Sequence, residues 1–232
     1  VFVIDQGRVS TDVLQKFGQQ ACPHAAISHT RWATHGEPSE NNSHPITSGP
    51  EADFTVVHNG IITNFSKLKA FLEEEGQELT TDTDTEVIPK LCTLFYHNLV
   101  ESGEGPLPFS KLVMQVLQKL EGAYAILVLS RHYPGELVCC RKGSPVVFAL
   151  KTVDGAHLSR FRSTKDLNGG CFDEKPLECF IASDDKAIIE HTRVCLLQEA
   201  RFVCCVLVWG LILVTEFSSS LVHQVTLSSL GY

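Results

Sequence analysis

Several things are scarce in this sequence, and each scarcity removes a class of protein. Basic residues are outnumbered: 19 Lys and Arg stand against 27 Asp and Glu, a formal net charge of -8. No stripe of clustered Lys and Arg is present, so a nucleic-acid surface, which must neutralise phosphates, is not expected. The nine cysteines include no Cys-x-x-Cys spacing. Cys139-Cys140 and Cys204-Cys205 are neighbours in the chain, which cannot easily bridge or chelate as a pair. Reduced, buried thiols of a cytoplasmic protein fit this pattern better than a disulfide framework or a metal site. No apolar run reaches the roughly 20 residues of a spanning helix, and no signal-peptide pattern opens the chain. No glycine-rich turn leads into a helix in the way a phosphate site needs, and no cofactor is indicated. The single methionine is Met114, so the chain reads as an internal piece of a longer product.

What remains is ordinary globular composition: 232 residues, 44% hydrophobic and 20% charged, enough for one sizeable core with appendages. The informative stretch runs from Ser28 to Gly60. A polar cluster, Ser28-His-Thr-Arg-Trp-Ala-Thr-His-Gly36, precedes a long Gly-, Pro-, Ser- and Asn-rich loop. An apolar strand over 54–57 then delivers His58-Asn-Gly60. An Asn amide beside a Gly N–H can form an oxyanion hole, two donors aimed at one developing negative charge. The same dipeptide is also the strongest short hairpin-turn signal. The histidines have an equally plain reading as loop residues.

The remaining pattern predicts strands over 1–4, 25–29, 54–58 (continued by Ile61-Ile62), 123–129, 136–141, 146–150, 178–182 and 193–197. Helices are expected over 12–19, from a cap at Asn64 or Ser66 to about Glu75, over 85–100, 109–120 and 184–190. Asp84 reads as the N-cap of the helix over 85–100. Pro89 inside that helix is awkward, at up to about 3 kcal/mol, unless the helix starts later. Strands, then helices, then strands fit a layered α+β domain. The tail is anomalous, with thirteen uncharged residues at 202–214 followed by a Ser- and Leu-rich end. A divergent hairpin, unrelated sequence read through past an exon boundary, and a membrane-associated segment all fit it, the last being short for its purpose. The expected division is a domain over 1–200 and a divergent tail over 201–232.

A resemblance adds to this. His29-Thr-Arg-Trp-Ala-Thr-His-Gly-Glu-Pro38, Asn42-Ser-His-Pro45, His58-Asn-Gly-Ile-Ile-Thr-Asn64 and Thr83-Asp-Thr-Glu86 occur in order. Leu120-Glu-Gly-Ala-Tyr124, Arg141-Lys-Gly-Ser-Pro145 and Ala182-Ser-Asp184 follow. Together they resemble the class II glutamine amidotransferases, within them the glutaminase domain of the glutamine–fructose-6-phosphate aminotransferase family, over about 25–197.

The resemblance implies a four-layer αββα sandwich of the N-terminal-nucleophile hydrolase type, here lacking its first strand. It implies glutamine as substrate. Arg31 would hold the α-carboxylate, Asp84 the α-ammonium, and Trp32, Thr34 and His35 the pocket wall. Asn59 and Gly60 would form the oxyanion hole. The family's nucleophile is a free N-terminal Cys, and its Cys-Gly-Ile-Phe opening has no counterpart in these residues. Cys22, with no freed amine, does not replace it. The expectation is a glutaminase part of a hexosamine-forming enzyme, inactive by itself, reaching fructose 6-phosphate only through further domains. The alternative is a module that binds glutamine, or pairs with other subunits as a homo-oligomer, without chemistry.

Overall fold

The strand that carries Asn59-Gly60 organises the protein. The computed structural model describes residues 25–30, 39–103, 105–151, 178–191, 194–197, 202–207, 212–216 and 223–226. The expected strand at 1–4, the helix over 12–19 and the loop after residue 158 lie outside them.

Strand β1 (Ile46–Thr47) pairs with β2 (Phe54–Ile62), and β2 pairs in turn with β3 (Gly122–Ser130), from Phe54 opposite Ser130 to Ile62 opposite Gly122. β4 (Glu136–Lys142) follows, then β8 (Phe202–Leu207) and β9 (Ile212–Glu216), completing a six-stranded sheet, β1-β2-β3-β4-β8-β9. Its pairings are all antiparallel. A second antiparallel sheet runs β10-β7-β5-β6, from β5 (Val147–Lys151), β6 (Glu178–Ala182), β7 (Val194–Leu197) and β10 (His223–Thr226). Helices α1 (Phe65–Glu74), α2 (Val87–Glu101) and α3 (Phe109–Leu117) cover one face of the first sheet. The architecture is α+β.

Alternation along β2 and β3 explains the layering. Phe54, Val56 and Ile62, with Tyr124, Ile126 and Val128 opposite, join Leu68, Leu72, Val87, Ile88, Leu91, Leu112 and Val116 in one core under the helices. Val57, Asn59, Ala125 and Leu127 take the other face, where Ile181 of β6 meets them across a cavity. The adjacent Cys139 and Cys140 are both buried on β4, and Cys140 belongs to the helix-side core. Cys92, Cys139 and Cys140 form no disulfide.

Two local expectations change, at Asp84 and over 184–190, and one alternative left open by the sequence closes. Asn59-Gly60 is not a turn: β2 runs through it without a break. Asp84 is not a helix N-cap. It opens a 3₁₀ turn (Asp84–Glu86) whose N-cap is Thr83, and α2 begins only at Val87. Pro89 therefore falls in the first helical turn, where its missing N–H has no intrahelical partner to lose. Asn64 does stand at the N-cap of α1, but its side chain reaches across the sheet end instead. Its amide donates to the Lys119 carbonyl at 2.8 Å and its oxygen accepts from the Glu121 N–H at 3.0 Å. The short helix expected over 184–190 is a 3₁₀ turn (Asp185–Ala187), with the Asp184 carboxylate accepting from the Lys186 N–H at 2.9 Å. No helix among the described residues is long and apolar enough to cross a membrane.

Candidate functional site

The site is built from the far end of β2 and the turn before α2. Gly60 has φ +137°, and an added Cβ would lie 2.2 Å from the Ala123 carbonyl oxygen. Only glycine lets the two strands approach this closely. Asn59, one residue earlier, is half-buried and lines the cavity between the sheets. Gly60 is exposed beyond it.

Asp84 is brought to the same strand end. Its Oδ2 accepts a hydrogen bond from the Ile62 N–H at 2.7 Å, in a buried setting. The carboxylate and the Asn-Gly pair are thus tied through two residues of backbone. Thr85 makes a second tie: its Oγ1 lies 3.0 Å from His58 Nδ1 and 3.1 Å from His44 Nε2.

The turn is also held from behind. The buried Glu86 carboxylate accepts from the Thr80 N–H at 2.9 Å, from the Thr81 N–H at 2.6 Å and from the Thr80 hydroxyl at 3.2 Å. From the loop before β1, Asn42 Oδ1 accepts from the Asp82 N–H at 3.0 Å. Such a satisfied buried network fixes one geometry.

Ser28 and His29 line the cavity together with Val57, Asn59 and Ala125. The start of the first polar cluster therefore sits beside the Asn-Gly strand. His29 and His44 meet edge to face at 4.7 Å. The expected pocket residues Arg31, Trp32, Thr34 and His35 lie outside the described residues. Of the expected site residues, the structure describes Asn59, Gly60 and Asp84, with Asp84 bonded to Ile62 two residues beyond Gly60. Reading the sequence alone missed His44, His58, Thr85, Glu86 and Asn42. All five belong to the quoted motifs, but nothing in their spacing says which of them face one another.

Electrostatically, burial above all, and then the neighbouring His29, lowers the pKa of His58 from 6.5 to about 3. The ring is neutral in the folded protein throughout the physiological range. Below pH 6.5 the unfolded chain binds a proton that the folded chain refuses. Stability is therefore complete above that value and falls as the pH drops toward 3, by up to about 1.4 kcal/mol per unit. Urea unfolding at pH 7 and at pH 5 checks this, with His58→Gln expected to show a shallower fall by one proton's worth. Equal slopes in the two proteins would refute it. Among the described residues, no group of three His, Cys, Asp or Glu is arranged to hold a metal ion.

Comparison with known proteins bears on this geometry. The profile of a family described as "Glutamine amidotransferase domain" matches residues 29–154. The chain is 46% identical over 176 residues to "Glutamine--fructose-6-phosphate aminotransferase [isomerizing] 1" of Arabidopsis thaliana, covering 76% of this chain and 26% of that protein. The protein of the same name from Rattus norvegicus is 43% identical over 194 residues, covering 76% of this chain and 28% of its own length. The Saccharomyces cerevisiae "Glutamine--fructose-6-phosphate aminotransferase [isomerizing]" is 49% identical over 129 residues, covering 56% and 18%. The chain thus spans about a quarter of the length of the first two relatives. Among solved structures, the glutamine phosphoribosylpyrophosphate amidotransferase from B. subtilis shares the fold at a TM-score of 0.56 and 21% identity, covering 83% of this chain and 35% of that one. With the profile spanning more than half of its residues, and the Asn-Gly strand and the Asp84 turn inside the matched region, the chain belongs to the glutamine amidotransferase domain family.

Proposed function

We propose that the chain binds glutamine at the end of β2 and is the glutaminase part of a glutamine–fructose-6-phosphate aminotransferase. The observation that supports this is the hydrogen bond from the Ile62 N–H to the buried Asp84 carboxylate, on the strand that carries Asn59-Gly60. Asp84 receives the α-ammonium of glutamine and Arg31 its α-carboxylate, through two parallel charge-assisted bonds. The Asn59 amide and the Gly60 N–H meet the side-chain carbonyl oxygen as it takes up negative charge. Trp32, Thr34 and His35 close the pocket.

Amide cleavage requires a thiolate that attacks the carbonyl carbon, expels ammonia and leaves a γ-glutamyl thioester for water to hydrolyse. Neither Cys92 nor Cys140 suits that role. Burial pushes the Cys92 thiol up to about 12 and raises Cys140 as well, and among the described residues no cysteine lines the cavity. The reading therefore assigns the thiol to a free N-terminal cysteine, as in the family the sequence resembles. Ammonia then passes to fructose 6-phosphate in the sugar-phosphate part of the whole enzyme.

Calorimetric titration of the 232-residue chain with glutamine tests the pocket directly. Glutamine is expected to bind, and Arg31→Lys to weaken it by at least about tenfold, because a point charge does not replace the planar fork. Absence of any glutamine heat in the unaltered chain would overturn the reading.

A further inference from the structure

Asp84 and Thr85 are consecutive in the chain, and so are His58 and Asn59. Hydrogen bonds join these two segments. Asp84 Oδ2 holds the Ile62 N–H at 2.7 Å, and Thr85 Oγ1 holds His58 Nδ1 at 3.0 Å. They land on β2 four residues apart, one on each side of Asn59-Gly60. A turn fastened at one point of a strand can pivot. Fastened at two residues of the strand, four positions apart, it cannot slide or tilt along that strand. We infer that the Thr85 hydroxyl is a positioning group that sets the length of the amino-acid pocket, and with it the choice of glutamine over asparagine, its homologue shorter by one methylene. The inference rests on the assignment of Asp84 to the α-ammonium and of Asn59-Gly60 to the side-chain carbonyl.

The hydroxyl suits this role because it is shared. It carries one proton and lies within bonding distance of two imidazoles, His58 Nδ1 at 3.0 Å and His44 Nε2 at 3.1 Å. It can donate to one ring only, so the other must donate to it. The two rings are thereby set in complementary hydrogen-bonding states, and the loop carrying His44 is fastened to the same point. Thr85 is 2% exposed and His58 4%, so water does not replace a lost partner cheaply. His58 Nε2 is buried with no hydrogen-bond partner among the described residues, so Nδ1 carries what bonding the ring has there. Valine matches threonine in shape but breaks both contacts. Serine keeps them.

The consequence for recognition follows from length. The two ends of the bound amino acid are read by groups on different elements, a carboxylate on the turn and donors on the strand. With their separation fixed, glutamine reaches both and asparagine falls one carbon–carbon bond short. With the turn free to move, the shorter homologue is accommodated and the longer one loses its fit.

The test uses the whole chain, titrated calorimetrically with glutamine and with asparagine. The unaltered protein is expected to prefer glutamine by about tenfold or more, within the range that one methylene gives in a fitted pocket. Thr85→Val should reduce the preference to within about threefold, while Thr85→Ser retains it. In ¹⁵N-histidine spectra His58 should show one neutral tautomer in the unaltered and serine proteins, and a mixture in the valine protein. Thr85→Val with an unchanged preference, or with both ligands weakened alike, would overturn the inference and leave the site reading standing. An unaltered chain that binds neither amino acid removes both. Should Thr85→Val fail to fold, His44→Asn takes its place, since it frees the hydroxyl from its second anchor. It too should narrow the preference, and an unchanged preference there also overturns the inference.

Discussion

Gly60→Ala is expected to lower stability by at least about 4 kcal/mol, a loss in the exceptional range for one added methyl group. Two costs combine. At φ +137° an alanine is strained whatever the space available. The methyl would also lie 2.2 Å from the Ala123 carbonyl oxygen and 2.8 Å from the Tyr124 Cα. Both are backbone atoms, so no side chain can swing away. Nor can β3 retreat locally. It is bound to β2 over nine residue pairs, from Phe54–Ser130 to Ile62–Gly122. At the other end of that ladder, Asp53 grips Arg131 and His132 at 3.0 Å each. Gly122 reproduces the problem from the opposite side, since its own Cβ would lie 2.2 Å from the Ile61 carbonyl oxygen. Chemical denaturation measures the loss, and a thermal midpoint should fall by roughly 10 °C. Gly76→Ala is the control: φ is +76° there with nothing within 4 Å of the added carbon. It carries the backbone strain alone, about 1 kcal/mol. If the two substitutions cost the same, the close approach of the strands is not what demands glycine at position 60.

Asp84→Asn is expected to weaken glutamine binding by about a hundredfold or more, as loss of a desolvated charged partner does. The amide oxygen can still accept from the Ile62 N–H, so the turn keeps its first clasp. What is lost is the negative charge proposed to face the α-ammonium. The measurement pairs glutamine with its deamino analogue, glutaramic acid. The unaltered chain should favour glutamine strongly, and Asp84→Asn should bind both alike. Persistence of the preference in the asparagine variant would remove Asp84 from that role. Asp84→Ala goes further and orphans the Ile62 N–H, which adds a stability cost of about 1–3 kcal/mol. Comparing the two variants separates holding the ligand from holding the strand.

How much of this was legible beforehand differs from element to element. The strands at 54–62, 122–130 and 136–142 announce themselves because their two faces meet different apolar layers. The helix after Glu86 does so because its apolar residues recur every three or four positions. Asn59-Gly60 could not be resolved from its letters. A turn and a strand both accept the dipeptide, and the difference lies in Ala123, more than sixty positions away and pressed against Gly60. Asp84 misled for a related reason. An acidic residue before an apolar periodic segment is a good cap, and the tertiary position of Ile62 gives its carboxylate another partner. Thr85 and Glu86 stood inside a motif already singled out, yet their partners His58, Thr80 and Thr81 are fixed by folding and not by spacing. The pairing of β8 with β4 is likewise beyond local pattern, since more than fifty residues separate them.

The paired thiols of β4 have a use beyond packing. Consecutive strand residues face opposite ways, so Cys140 looks into the helix-side core and Cys139 toward the second sheet. An alkylating reagent is expected to reach Cys140 when the helices lift and Cys139 when the sheets part, and mass spectrometry tells the two adducts apart. The chain therefore carries its own pair of clocks, one for each layer, timing how often the fold breathes on either side of the strand that separates them.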